Sequence, residues 1–240
     1  IYTYSKQFEL TKQEVSGNVQ VQFDGVYRNA IVFVNGRKCK EVRYGYLPFW
    51  VDITEFVQTG INNITVEADN SEQPNSRWYT GSGIYRSVWL WTGNQYKIEP
   101  CGIHITTKSI NPAVIMVNVV HNGDSAEVEI WDGDHLIIKK TGDDLELELP
   151  EAKLWSDETP YLYRCHVILR KDGIVTDEAD QAFGVRLLHY DTTGLYVNGK
   201  RTLLKGGCLH HDNGILGALS LPEAEERRLR IMKESGFNAI

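Results

Sequence analysis

Period-two alternation of apolar and polar residues runs through most of the chain. Val19, Val21 and Phe23 alternate with Gln20 and Gln22; Ile64, Val66 and Ala68 with Thr65 and Glu67; Leu145, Leu147 and Leu149 with Glu146 and Glu148. Side chains on a strand point alternately to its two faces, so each stretch predicts a strand with one dry and one wet face. Turn residues punctuate the pattern. Asn35-Gly36 separates residues 31–34 from 37–40, a strong hairpin signal, and Asp132-Gly133 and Asp172-Gly173 repeat it further on. Many short strands at this spacing predict sandwiches or barrels rather than βαβ units.

The pattern changes twice along the chain. Tyr44, Tyr46, Phe49, Trp50, Trp78, Tyr79, Tyr85, Trp89 and Trp91 crowd the early part of the sequence. Trp89 and Trp91 alternate with Val88 and Leu90, and all four are expected in core and domain-interface packing. Pro100-Cys101-Gly102 then interrupts the strands, which places a boundary near residue 98. A second run starts at Ile103 and closes on Phe183-Gly184-Val185-Arg186. Seven or so short strands over that length fit an immunoglobulin-like sandwich, without the Cys–Trp–Cys pattern of an antibody domain. After residue 190 a hairpin turns at Asn198-Gly199, a loop rich in glycine and histidine follows, and Ser220-Leu221-Pro222-Glu223 opens a helix. Ser220 is expected as its N-cap, with Glu223 completing a capping box. Leu221, Ala224, Ile231 and Met232 form the expected buried stripe, and Lys233 and Gly236 suit the helix end. Phe237-Asn238-Ala239-Ile240 reads as the next strand. Strand, loop, helix and strand mark the start of an α/β domain.

Composition narrows the reading. A chain of 240 residues cannot hold two β domains and a complete (β/α)₈ barrel, which takes about 250 residues alone. An apolar fraction of 42% with 24% charged residues excludes disorder and fibrous classes. The net charge of −7 argues against nucleic acid as a partner. Arg227, Arg228 and Arg230 lie among Glu223, Glu225 and Glu226, as expected of a solvated helix face. No run of about 18 apolar residues is present, so no membrane-spanning segment is expected. Cys39, Cys101, Cys165 and Cys208 lack metal-ligand spacing and are expected to be free and mostly buried. Because the first residue is Ile1, the sequence reads as trimmed at its start, and the lack of a leader carries no weight.

Three ordered groups of motifs resemble glycoside hydrolase family 2, over nearly the whole chain. The first holds Phe23-Asp24-Gly25-Val26-Tyr27, Val32-Phe33-Val34-Asn35-Gly36, Tyr44-Gly45-Tyr46, Asp52-Ile53-Thr54 and the run from Arg77-Trp78-Tyr79 to Ile84-Tyr85-Arg86. The second holds Leu154-Trp155-Ser156, Pro160-Tyr161-Leu162-Tyr163 and the Phe183-Gly184-Val185-Arg186 close. The third holds Val197-Asn198-Gly199-Lys200, Lys205-Gly206-Gly207-Cys208-Leu209-His210-His211-Asp212 and the run from Met232 to Ile240. The resemblance implies a mainly β chain: a jelly-roll sugar-binding-type domain over 1–98, an immunoglobulin-like sandwich over 99–187, and the truncated opening of a TIM barrel over 188–240. It implies a retaining glycosidase for terminal β-galactosides, with β-glucuronidase and β-mannosidase as alternatives sharing the same front end. No cofactor is implied. The expected partner is an oligosaccharide or glycoside substrate, and a homo-oligomer is left open. A non-catalytic carbohydrate-binding or scaffold protein made of the two β domains is the rival from another class.

Retaining chemistry needs two carboxyl groups about 5–5.5 Å apart. In the resembled family both are glutamates on later barrel strands, so no catalytic residue is expected within this chain. His210, His211 and Asp212 sit where a barrel strand ends, the face on which TIM-barrel active sites lie. Read alone, they are either sugar contacts or histidines satisfied by loop backbone; with the resemblance, His210 becomes a sugar contact. The family often carries Asn at the position of Cys208. Zinc is rejected, because the triple lacks helical i, i+4 spacing and no third ligand group is near. Arg77, with Trp78 and Tyr79, either reaches a sugar or staples the jelly roll to its neighbours; stapling is the preferred reading, and Arg77 is retained as a binding candidate.

Overall fold

The alternating segments form strands that turn their apolar residues to one face. The computed structural model describes residues 1–72, 81–210 and 212–240, in two units: residues 1–93 with 205–240, and residues 94–204. The first unit contains β1 (Tyr2–Leu10), α1 (Lys12–Val15), β2 (Asn18–Phe23), β3 (Val26–Tyr27), β4 (Ala30–Val34), β5 (Arg37–Val42), β6 (Phe49–Asp52), β7 (Gly60–Ala68), β8 (Gly83–Ile84) and β9 (Val88–Gly93). Two antiparallel sheets, ordered β1-β7-β4-β5 and β6-β2-β9, share one core. Val19, Val21 and Phe23 of β2 meet Val32 and Val34 of β4 there, and Phe23 stacks on Phe49 at 4.9 Å. Asn35 and Gly36 both adopt positive φ, 49° and 77°, so Val34 pairs with Arg37 across a two-residue turn of matching twist. The buried Asn62 amide donates to the carbonyls of Gln58 and Gly60 and accepts from Asn35, which meets the requirement that buried polar groups be bonded.

The second unit contains β10 (Ile98–Ile110), β11 (Ala113–His121), β12 (Ser125–Asp132), β13 (His135–Thr141), β14 (Asp144–Glu148), β15 (Tyr163–Lys171) and β16 (Ile174–Phe183). They form a three-stranded sheet, β10-β11-β14, and a four-stranded one, β13-β12-β15-β16, the strand count of a constant-type immunoglobulin sandwich. Ile115, Val128, Ile130, Cys165, Val167 and Leu169 are fully buried between them. Pro100-Cys101-Gly102 lies inside β10, where the register slips between Ile98 and Ile103. A small sheet of β17 (Leu188–Asp191), β18 (Gly194–Val197) and β19 (Lys200–Thr202) completes this unit.

Several local expectations are corrected. Trp89, Trp91, Val88 and Leu90 are exposed rather than in the core of the first unit; register sets Trp89 and Trp91 in line with Gln22 and Gln20, the outward residues of β2. Of the four cysteines, all free, only Cys165 is buried; Cys101 and Cys208 are exposed and Cys39 is intermediate. The hairpin after β12 turns on Gly133 and Asp134, one residue later than expected, since Asp132 itself pairs with His135.

Candidate functional site

The segment after β19 is held by parallel pairing. Gly206 bridges Ala239 in parallel, the Lys205 amide donates to Asn238 Oδ1 at 2.7 Å, and the Asn238 amide donates back to the Lys205 carbonyl at 3.1 Å. Helix α2 (Pro222–Glu234) joins the two paired stretches, giving a β-loop-α-β connection. His210 and Asp212 therefore lie four and six residues past the parallel bridge at Gly206, and both are exposed. The Asp212 amide donates to the His210 carbonyl at 2.7 Å. His211 and Arg77 lie outside the described residues.

A polar clamp that the sequence reading missed fixes this loop. Asn213 is its hub: its side-chain amide donates to the Leu219 carbonyl at 3.1 Å and to Glu225 Oε1 at 2.7 Å, and its Oδ1 accepts from Arg228 at 2.9 Å. Arg228 also donates to the His210 carbonyl at 3.2 Å and to Glu225 Oε2 at 3.3 Å. Glu225 and Arg228 thus face the loop instead of the solvated side expected for them. Their i, i+3 spacing was the available signal, because residues three apart share one helix face. Ser220 does not cap α2. Leu221 occupies that position without a side-chain bond, and the Ser220 hydroxyl donates to Glu225 Oε1 at 3.1 Å. Bonds to an ionised carboxylate are stronger than neutral ones, so the charged acceptor wins. The expected apolar stripe is not buried either: α2 has no buried residue, and Leu221 and Ile231 are exposed.

On its other side the loop meets the first sandwich. The Ser220 amide donates to the Tyr85 carbonyl at 3.0 Å, and Ala218 lies so close to Gly81 that no Cβ fits there. Beside this contact, Tyr85 donates its hydroxyl to the Gly45 carbonyl at 2.9 Å. Tyr46 lies between Tyr27, with ring centroids 5.0 Å apart, and Tyr44, at 5.8 Å. Burial, aided by the Tyr27 hydroxyl bond and neighbouring phenols, pushes the Tyr46 phenol up to about 12. Burial raises Tyr85 as well. Both therefore remain neutral donors at ordinary pH. Chemically, an imidazole can donate to and accept from hydroxyl groups, and a carboxylate can accept from them. Among the described residues no group of three or more His, Cys, Asp or Glu could hold a metal ion, and no helix is long and apolar enough to cross a membrane.

Comparison with known proteins agrees with this architecture. Residues 2–94 match the family model for the glycosyl hydrolases family 2 sugar binding domain, and residues 102–186 match the glycosyl hydrolases family 2 model. A Bacteroides ovatus protein named beta-galactosidase BoGH2A is 34% identical over 99% of this chain and 31% of its own length. A Bacteroides fragilis protein named beta-glucuronidase is 30% identical over 100% of this chain and 39% of its own length. The crystal structure of a glycosyl hydrolase family 2 member from Bacteroides cellulosilyticus superimposes with a TM-score of 0.89 at 36% identity, covering 98% of this chain and 35% of that one. The chain belongs to glycosyl hydrolase family 2. It is similar to glycosidases named for two different sugars, and it spans about a third of the length of the relatives it matches.

Proposed function

We propose that this chain forms the two β domains and the first βα unit of a retaining glycosidase that removes terminal β-galactosides. The observation that carries the reading is the position of His210 and Asp212 just after the parallel bridge of Gly206 with Ala239, in a chain of this family; the reading takes that bridge as the first barrel strand. In this reading the boundaries fall at 1–98, 99–187 and 188–240, and the last segment opens the barrel. His210, His211 and Asp212 contact the sugar, with Arg77 reaching it from the jelly roll. The nucleophile and the acid/base are glutamates outside these 240 residues, about 5–5.5 Å apart as a two-step displacement requires. The 34% identity to a protein named beta-galactosidase favours galactose; the 30% identity to one named beta-glucuronidase supports glucuronic acid as the second reading.

The test uses the protein expressed from its full coding sequence, assayed against aryl β-galactoside and aryl β-glucuronide. Turnover of the galactoside at the higher kcat/KM supports the first reading, and the reverse order supports the second. His210→Ala should lower kcat/KM for the preferred glycoside by about 5- to 150-fold, the loss of a hydrogen bond of roughly 1–3 kcal/mol to a reacting group. Turnover of neither glycoside, or unchanged kcat/KM in that variant, would overturn the assignment.

A further inference from the structure

A chain of hydrogen bonds runs from the first sandwich to the backbone of His210. The Ser220 amide donates to the Tyr85 carbonyl at 3.0 Å, and the Ser220 hydroxyl donates to Glu225 Oε1 at 3.1 Å. Arg228 donates to Glu225 Oε2 at 3.3 Å through Nη1 and to the His210 carbonyl at 3.2 Å through Nη2. The chain starts from a fixed point, because Tyr85 is buried and its hydroxyl is bonded to the Gly45 carbonyl. Such an anchor matters for α2, which has no buried residue of its own, so its place beside the loop rests largely on polar bonds.

Arg228 is the member of this chain that meets His210. One of its nitrogens holds the His210 carbonyl while the other holds Asn213 Oδ1 at 2.9 Å. A planar guanidinium spans two acceptors at a fixed separation, whereas a lysine ammonium is a single centre on a flexible stem. The His210 carbonyl also accepts from the Asp212 amide at 2.7 Å, so it is gripped once from the loop and once from the helix. The peptide plane of that carbonyl begins at the His210 Cα, from which the imidazole projects, so holding the plane limits where the ring can go. Arg230 is the contrast on the same helix: it bonds Glu226 at 2.5 Å, both side chains are largely exposed, and no bond joins either of them to the loop among the described contacts.

We propose that Arg228 is a positioning residue for the glycosidase reaction: it touches no sugar, and it acts by holding the His210 backbone in the pose from which the imidazole meets the substrate. The inference rests on the reading of His210 as a sugar contact. Its energetic basis is geometric. A hydrogen bond to a reacting group counts only when donor and acceptor are already aligned, and a displacement of about 1 Å can cost on the order of a hundredfold in rate. Arg228 supplies that alignment from the helix side, with Glu225 and Ser220 passing the anchor back to the sandwich.

The test is a double-mutant cycle on the protein expressed from its full coding sequence, assayed with whichever of the aryl β-galactoside and aryl β-glucuronide it turns over at the higher kcat/KM. Arg228→Ala should lower kcat/KM by about fivefold or more, and by no more than His210→Ala does, because it acts through that residue. In the His210→Ala background the same change should cost less than about twofold, whereas a merely structural role would cost as much there as in the parent. Arg228→Lys keeps the charge but not the fork, so it should recover less than about half of the loss in log kcat/KM. Arg230→Ala should match the parent. Thermal melts check that each variant is folded, and if Arg228→Ala does not fold, Arg228→Lys carries the same cycle. Equal losses in the two backgrounds would overturn the proposal, as would parental activity in Arg228→Ala or full recovery with lysine. Failure of the glycosidase reading shows separately, as no turnover of either glycoside or as a silent His210→Ala, and it removes this inference with it.

Discussion

Replacing Asn213 with alanine tests whether the loop carrying His210 and Asp212 is held by the clamp. The substitution removes three side-chain bonds: to the Leu219 carbonyl, to Glu225 Oε1 and from Arg228 Nη1. A neutral bond contributes about 0.5–1.5 kcal/mol net and one to a charged group about 1.5–3 kcal/mol. Those values overstate the loss here. The Arg228 and Glu225 side chains keep 20% and 29% exposure, so water replaces part of what is removed, and they retain their own contact at 3.3 Å. A local cost of about 2 kcal/mol remains, which makes opening of the loop roughly thirtyfold easier. Native-state hydrogen exchange over residues 208–222, read by mass spectrometry, measures that opening directly. The sandwich cores should keep their protection, because α2 has no buried residue whose loss would spread to them. Glu225→Gln retains an oxygen for Asn213 and Ser220 and should show less than half the effect. Exchange of the 208–222 segment within threefold of the parent in Asn213→Ala would refute the clamp.

Leu169, fully buried between the sheets of the second unit, should cost about 2–5 kcal/mol when cut to alanine. Calorimetry should show the unit formed by residues 94–204 melting about 8–20 °C lower, and a loss under 1 kcal/mol would contradict the packing. Tyr46 predicts an alkaline limb of stability. Its folded value lies above that of a free phenol, so the stabilisation is complete below about pH 10 and is lost as pH rises through about 12. Urea melts between pH 9 and 11.5 should lose part of their slope in Tyr46→Phe, and an unchanged slope would exclude Tyr46 as the source. Thiol labelling at pH 8 should modify the exposed Cys101 and Cys208 first. Cys39, raised by burial, should follow, and Cys165, pushed up to about 12 by burial, should react only on unfolding. Rapid labelling of Cys165 in the folded chain would show that the second core is open.

What the sequence made legible follows from the range over which each interaction acts. The strands of β2, β7 and β14 were readable because alternation is written into consecutive residues and one buried face enforces it. The turns at Asn35-Gly36 and Asn198-Gly199 were readable because both need two residues at positive φ, a demand met within the dipeptide. A Thr-x-x-Glu capping box at Thr11 and Glu14 is equally local and was passed over beside a strand of nine residues. Two other misreadings depend on partners more distant in sequence. Trp89 and Trp91 read as core because nothing in Val88-Trp89-Leu90-Trp91 says which side of the sheet they take; only the pairing with β2 sets them in line with the outward Gln22 and Gln20. Glu225 and Arg228 read as a solvated face because their partners Asn213 and His210 lie 12 and 18 residues away, on the loop side of the helix.

Helix α2 shows the same limit from the other direction. Its sequence carries an apolar stripe, yet Leu221, Leu229 and Ile231 are exposed and its ordered contacts with the loop are mostly polar. Among the described residues the segment around α2 makes one parallel bridge, Gly206 with Ala239. On the proposed barrel reading, a helix buries its stripe against its own sheet and two adjacent helices, and one unit offers only part of that surface. The clamp of Asn213, Glu225 and Arg228 needs none of those neighbours: all its partners lie between His210 and Arg228. The loop that carries His210 and Asp212 is therefore held by partners within 19 consecutive residues, counting 210 to 228 inclusive. A polar staple local in sequence can hold a loop in shape without burial of the apolar side chains on the helix beside it.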